Sequence, residues 1–113
     1  MVEPKATRKI YNKGEFQVWE WSDVGSSDEL GTLTANFVTA CAQVVGNFSG
    51  ATVSFEASLD ESTFGPILRF NGESPTIKSS SVIHLAGPIV SLRPKLMGGD
   101  KNTKISIRIA APT

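Results

Sequence analysis

Few residues in this sequence could carry out chemistry, and they lie far apart. His84 is the only histidine and Cys41 the only cysteine. His84 lies between Ile83 and Leu85, so we interpret it as a strand residue on a polar face, or a half-buried ring, rather than a general base. Cys41 lies in an apolar segment, which favours a small core residue over a nucleophile. We therefore expect no catalytic residues.

Two loops contain residue types that bind ions elsewhere. Asp60-Glu61-Ser62-Thr63 lacks the spaced acidic residues of a calcium loop, and a turn explains it better. Gly98-Gly99 lies between predicted strands and opens no helix, unlike a phosphate-binding loop. A single cysteine allows no intramolecular disulfide and leaves a thiolate metal site without clustered ligands. The sequence predicts no metal site and no cofactor.

The composition is ordinary for a globular domain. The chain has 113 residues, of which 40% are hydrophobic and 19% charged, and this length suits one domain. It contains no apolar run of about 18 residues, so we expect no membrane span. Its charged start lacks the apolar region of a secretory signal. Nucleic-acid binding is disfavoured because no Lys/Arg cluster interleaves with aromatic residues.

The net charge of zero conceals an uneven distribution. Residues 1–56 contain four Lys/Arg and seven Asp/Glu, whereas residues 57–113 contain seven Lys/Arg and four Asp/Glu. Such a division is typical either of charges scattered over a solvated surface or of complementary surfaces that meet in an assembly.

Apolar and polar residues alternate with the period of two that is typical of strands. In the central hairpin, Val53 to Ala57 forms one strand, residues 58–62 form a turn, and Phe64 to Phe70 forms the second strand. Lys104 to Ala110 forms the last strand, with its three isoleucines facing inward. Further strands are predicted at Glu15–Ser22, Leu30–Ala35, Ala40–Phe48, Val82–Ala86 and Ile89–Met97.

The predicted secondary structure has more than one interpretation in two places. Residues 36–48 also contain a helical stripe, but Val, Thr and Cys favour a strand, with Gly46 as a bulge or bend. Pro94 indicates an edge strand or a bulge. About eight short antiparallel strands separated by turns predict a single-domain β-sandwich or jelly roll over residues 15–113.

Two segments have more than one interpretation. Residues 1–14 are polar and predict an extended N-terminal arm or a loose edge strand, and an arm is either disordered or ordered only against a partner. Trp19 and Trp21 share one strand face, while Phe16 and Val18 share the other. Either both faces are buried in the fold, or one contacts another chain.

Part of the sequence resembles a pattern that recurs in small virion proteins of tailed phages. Residues 46–53, GNFSGATV, match G-x-F-x-G-A-T-V, and residues 56–64, EASLDESTF, match E-G-S-x-D-G-x-x-W/F. Ala57 and Glu61 stand where the pattern usually has glycine.

A second match spans Ile89 to Ile107. It contains Leu92-Arg93-Pro94, then Gly98-Gly99-Asp100, then a closing alternating strand. The two matches together cover roughly residues 44–110.

The chain thus resembles the jelly-roll decoration, or cement, proteins of phage heads. The resemblance implies a non-enzymatic virion protein, made in the host cytoplasm, that binds the outer capsid surface and joins neighbouring major capsid protein subunits. It also implies a dimer at capsid symmetry axes, with no nucleic acid or membrane as partner. The candidate capsid contacts are Val2, Pro4, Lys5, Arg8, Tyr11, Trp19 and Trp21.

Two other functions stay open. A receptor- or glycan-binding β-module of a phage tail or fibre would share the fold, and it would present a concave aromatic platform. An enzyme domain is the remaining alternative, and its activity would depend on His84.

Overall fold

The computed structural model describes residues 2–11, 14–66 and 76–112. These residues contain strands and no helix, which confirms the all-β prediction. The seven strands are β1 (Lys5–Tyr11), β2 (Gly14–Val24), β3 (Leu33–Asn47), β4 (Ala51–Ser58), β5 (Gly65–Pro66), β6 (Ser81–Gly98) and β7 (Lys104–Pro112).

The seven strands form one hydrogen-bonded sheet in the order β1-β2-β7-β3-β6-β4-β5. Every pair of neighbouring strands is antiparallel. The C-terminal strand β7 lies between β2 and β3. It therefore connects the β1–β2 hairpin to the rest of the sheet.

One face of this sheet is apolar and fully covered. The central residues Ile105, Ile107 and Ile109 have 0% of their surface exposed, as their alternation in the sequence predicts. Because the described residues include no helix to cover this face, the sheet folds over so that its two halves pack together as a β-sandwich. Along its shortest principal axis the molecule measures 25 Å, which is more than the thickness of a single sheet.

The core draws on five strands and on two connecting segments, which contribute Phe48 and Ile77. Its buried members are Trp19, Trp21, Val24, Leu33, Ala40, Ala42, Val44, Phe48, Ala51, Val53, Phe55, Ile77, Leu85, Ile89, Leu92, Ile105, Ile107, Ile109 and Ala111.

Two strands are longer than predicted. Most of the predicted segments Leu30–Ala35 and Ala40–Phe48 lies in one strand, β3, although residues 30–32 and Phe48 are outside it. The predicted segments Val82–Ala86 and Ile89–Met97 belong to one strand, β6. The division of β6 in the prediction is wrong because Gly87-Pro88, a pair typical of turns, lies within the strand.

Bulges explain how the strands continue. Phe37 pairs with Ile89 and Thr39 with Ala86, so Gly87 and Pro88 together lie opposite one residue. A second irregularity separates the pairs of Thr34 and Phe37. A proline is tolerated at a bulge because no ladder N–H is needed there, and bulges also bend a strand.

Pro94 and Gly46 behave differently from each other. Pro94 belongs to an inner strand, β6, so the predicted edge strand is wrong for the strand as a whole. At Pro94 itself, however, β6 pairs with β4 alone among the described residues, which leaves its other side locally open. Gly46 interrupts no register, since it pairs with Ile105 between intact neighbouring pairs, so the predicted bulge there is wrong. Its φ of +134° instead allows a close approach to the neighbouring strand.

Only part of the central hairpin lies in the described residues. Strand β4 and the turn after it agree with the prediction, and Gly65 and Pro66 pair with Ala57 and Glu56. The rest of the predicted strand to Phe70 lies outside the described residues. Ile77 extends the same edge through two backbone hydrogen bonds with Val53, of 2.8 and 2.9 Å.

We expect Ile107→Ala to destabilise the fold strongly. Ile107 is fully buried between Trp21 of β2 and Val44 of β3 in the sheet register. Loss of a buried isoleucine side chain costs about 2–5 kcal/mol of unfolding free energy. Urea unfolding measures this, with Lys104→Ala, an exposed position on the same strand, as the control expected to change stability by less than about 0.5 kcal/mol. Equal effects of the two substitutions would contradict this assignment of the core.

Two glycines offer a second, matched test. A Cβ at Gly46 would lie 2.2 Å from the carbonyl oxygen of Lys104, whereas a Cβ at Gly50 (φ +86°) would have no atom within 4 Å. Gly46→Ala is therefore expected to cost about 3 kcal/mol or more, and Gly50→Ala about 1 kcal/mol from backbone strain alone. Similar melting temperatures for the two variants would show that β3 and β7 do not approach as described.

Candidate interaction surfaces

The predicted contact residues separate into two groups. Trp19 and Trp21 are 7% and 0% exposed within the single chain, so the core interpretation of this strand holds and these two side chains are not surface contacts. Of the N-terminal candidates, Val2 and Pro4 are half-buried and Lys5 is exposed. Arg8 and Tyr11 belong to strand β1, and their side chains lie outside the described residues.

The N-terminal segment is bound to its own chain. The Val2 N–H donates to the Glu29 carbonyl and the Gly31 N–H donates to the Val2 carbonyl, both at 2.7 Å. Val2 also packs against the hydrophobic core. The Glu3 carboxylate lies over Gly31, where a Cβ would come within 2.4 Å of a carboxylate oxygen. Of the interpretations of residues 1–14, the structure supports an edge strand for residues 5–11.

Strand β1 forms one boundary of the sheet. It pairs with β2 from Lys5 opposite Glu20 to Tyr11 opposite Gly14, and no other described strand pairs with it. Its sequence, KATRKIY, contains three basic residues and no acidic residue. The strand thus combines an open row of backbone hydrogen-bonding groups with a positive charge.

The turn at residues 48–50 and the loop at residues 99–103 meet at one end of the sandwich. The turn after β3 and the turn before β7 are joined by the Ser49 hydroxyl, which donates to Asp100 Oδ1 at 2.7 Å. The Thr103 hydroxyl donates to the Phe48 carbonyl at 3.0 Å and accepts the Asp100 N–H at 3.0 Å. The Ser49 hydroxyl, followed by the Asn102 N–H, lowers the pKa of Asp100.

The Asp60 carboxylate stabilises its own loop. Asp60 Oδ1 accepts hydrogen bonds from the Ser58 hydroxyl at 2.8 Å and from the N–H groups of Ser62 and Thr63 at 3.0 and 2.8 Å. These donors, the Thr63 N–H first, hold the pKa of Asp60 well below its ordinary range. This geometry is that of a turn closed by an aspartate side chain, as the sequence indicates.

A cleft of about 410 Å³ lies between residues 28–30, Glu56 and residues 93–96. Arg93 Nε donates to Glu56 Oε1 at 3.0 Å, and its guanidinium carbon lies 4.1 Å from the centroid of the Phe64 ring. Asp28, Glu29 and Lys95 contribute charges of both signs to the lining. The cleft is therefore not selective for one sign of ligand charge.

The outer face of the sheet contains a row of polar residues. Arg108 lies between two residues in neighbouring strands and donates to Glu20 from Nε at 3.1 Å and from Nη2 at 3.4 Å. Its Nη1 donates to Gln43 Oε1 at 3.4 Å. The Glu20 carboxylate compensates the positive charge of Arg108 on this face.

Beside this row lies a pair of reactive side chains whose proximity the sequence does not indicate. Cys41 of β3 is directly opposite His84 of β6, and both side chains are exposed. The prediction of Cys41 as a core residue is therefore wrong, whereas the polar-face interpretation of His84 agrees with the structure. The His84 ring accepts or donates a hydrogen bond of 2.6 Å between Nε2 and Thr39 Oγ1.

Within the described residues, no three His, Cys, Asp or Glu side chains converge as a metal site. Nor do those residues contain a helix long and apolar enough to cross a membrane.

Comparisons with known proteins show no family for this chain. No family model matches it, and no curated protein sequence matches it either. Among solved structures, protein NMB1881 from Neisseria meningitidis aligns with a TM-score of 0.46 and 17% identity, covering 97% of this chain and 83% of that one. The capsular polysaccharide assembling protein CapF from Staphylococcus aureus aligns with a TM-score of 0.37 and 8% identity, covering 96% and 29%. Likenesses this weak carry no functional argument.

The hydrogen bonds of Asp60 generate a pH prediction. Because its folded pKa is lowered, this carboxylate stabilises the fold fully above its unfolded pKa of about 3.9, and the contribution is lost as pH falls further. The unfolding free energy is therefore expected to decrease below about pH 4, and less steeply in Asp60→Ala. Urea unfolding at several pH values measures this, and carboxyl NMR titration of Asp60 measures the pKa directly.

Glu61→Ala is the matched control, since it removes the same charge from the adjacent position of the loop. We expect it to retain the acid dependence of the parent protein. A carboxyl titration of Asp60 at or above the ordinary value would contradict the loop geometry.

Proposed function

We propose that this protein is a non-enzymatic virion structural protein that binds the outside of a phage capsid and joins neighbouring major capsid subunits. The observation that carries the proposal is the sequence pattern of phage-head decoration proteins over residues 44–110. The all-β sandwich is compatible with this role, because such a role needs a rigid framework and contact surfaces rather than reactive groups. The protein is expected to act as a dimer at capsid symmetry axes and to lie on the virion surface.

The structure gives the sequence pattern a physical meaning. Its two segments contain the turns that Ser49, Asp100 and Thr103 join by hydrogen bonds. The pattern therefore encodes the framework, and the capsid contacts must come from other surfaces.

Strand β1 is the surface that best fits a capsid contact. An extended segment of another protein can add to an open strand edge through main-chain hydrogen bonds. The three basic residues of β1 disfavour pairing with β1 of a second copy, because two strands of the same charge would lie side by side. They favour a partner segment that contains acidic residues.

This mode of binding differs from that of a loose arm. Since Val2 is hydrogen-bonded to Glu29 and Gly31, and residues 5–11 pair with β2, the N-terminal segment is already ordered on its own domain. A disordered arm loses conformational entropy when it binds, and this opposes binding. A contact through the ordered strand β1 avoids most of that loss.

Reversal of the β1 charge tests the proposal. The triple substitution Lys5→Glu, Arg8→Glu, Lys9→Glu is expected to weaken binding to expanded, undecorated phage heads by roughly tenfold or more, because it places acidic groups at an edge that prefers an acidic partner. The number of copies bound per head is measured by co-sedimentation over a range of protein concentrations. Cryo-electron microscopy of the decorated heads locates the bound protein.

The matched control is Lys78→Glu, Lys101→Glu, Lys104→Glu, which changes the net charge equally at three exposed positions outside β1. It is expected to bind with the affinity of the parent protein. Equal weakening by both triple variants would exclude β1 as the contact. Failure of the parent protein to bind any expanded head would refute the capsid function itself.

A further inference from the structure

Cys41 and His84 have the spacing of a metal-binding pair. They are direct cross-strand neighbours on β3 and β6, and both point to the exposed outer face. Side chains in this relation have Cβ atoms about 4.5–5.5 Å apart. Zinc binds sulfur at about 2.3 Å and imidazole nitrogen at about 2.0 Å, so one ion can bridge such a pair.

Thr39 holds the imidazole for this role. It lies two residues before Cys41 on the same strand face, and its Oγ1 is 2.6 Å from His84 Nε2. When Nε2–H donates to this hydroxyl, the lone pair of Nδ1 is available as a ligand. A hydrogen bond from the second ring nitrogen is the usual device that orients a metal-binding histidine.

We propose that Cys41 and His84 form half of a zinc site, which the same two residues of a second copy complete across a two-fold axis. One chain supplies two ligands, whereas a structural zinc ion needs four in a tetrahedral arrangement. A two-fold axis supplies the remaining sulfur and nitrogen with identical geometry. Each thiol releases its proton to solvent when its sulfur binds the ion. The proposal does not depend on capsid binding.

The surroundings of the pair favour a second copy as the occupant of this face. Val82, two residues before His84 on the same strand, is 64% exposed. Contact with another copy would bury this apolar side chain. Arg108 nearby is compensated by Glu20, so two copies of this face meet without strong charge repulsion.

Cobalt(II) is the probe for this site, because it reports thiolate ligands by absorption. Titration of the reduced protein under a phosphine reductant is expected to give a thiolate-to-cobalt charge-transfer band and the intense visible bands of a tetrahedral ion. Saturation is expected at one ion for every two chains, and zinc is expected to displace the cobalt. Sedimentation velocity is expected to show a dimer with zinc and a monomer with a chelator.

Cys41→Ser and His84→Gln are each expected to abolish the tetrahedral cobalt spectrum and the zinc-dependent dimer. Both residues are exposed, so circular dichroism and melting temperature should stay close to those of the parent protein. Asp28→Asn, which changes an exposed acidic residue of the cleft, is the control for weak carboxylate binding and should retain both signals.

Three results would overturn the proposal: no charge-transfer band in the parent protein, a tetrahedral spectrum that survives His84→Gln, or saturation at one ion per chain without a dimer. A dimer that persists with chelator and reductant would show that zinc is not what joins the copies.

Discussion

A β-sheet with one apolar face must cover that face, and in the described part of this chain only the sheet itself is available to do so. This constraint explains why the long strands β3 and β6 contain bulges, since a sheet that folds over must bend. It also explains the dense inward row of β7, where three isoleucines are fully buried. Apart from the buried Ser58, Ser91 and Thr103, most polar residues of the described chain are thereby placed on loops, open edges and the outer face. Any function of the protein must use those surfaces.

The outer surfaces differ in what they can recognise. The β1 edge offers backbone hydrogen bonds and positive charge, which suits an extended acidic partner. The outer face of β3 and β6 offers a thiol, an imidazole and the exposed side chain of Val82, which suit a metal ion and a symmetric copy. The two surfaces are separate, so a partner protein and a second copy can be bound at once, and multivalent attachment then strengthens weak individual contacts.

The sequence allowed the all-β class, the inward face of β7 and the turn at Asp60 to be predicted, because each depends on local alternation or on a side chain bound to its own loop. Strand β6 continues across Gly87-Pro88 because it pairs with β3 on both sides of a bulge. The local sequence around Gly87-Pro88 does not indicate this pairing. Cys41 was assigned to the wrong face of the strand. Its neighbours Ala40 and Ala42 point inward, but alanine is too small to indicate from the sequence which alternate positions are buried. The pairing of Cys41 with His84 depends on register between distant segments.

The position of β7 has a consequence for how the protein is made. Strand β7 (Lys104–Pro112) is the last of the described strands in chain order, and it joins the β1–β2 hairpin to the other strands. Until it has emerged, the nascent chain holds two incomplete pieces of sheet whose facing edges are unpaired and apolar, and such edges are prone to aggregate. The sheet therefore cannot be completed until residues 104–112 are available, and a product truncated before Lys104 would be a substrate for chaperones and proteases.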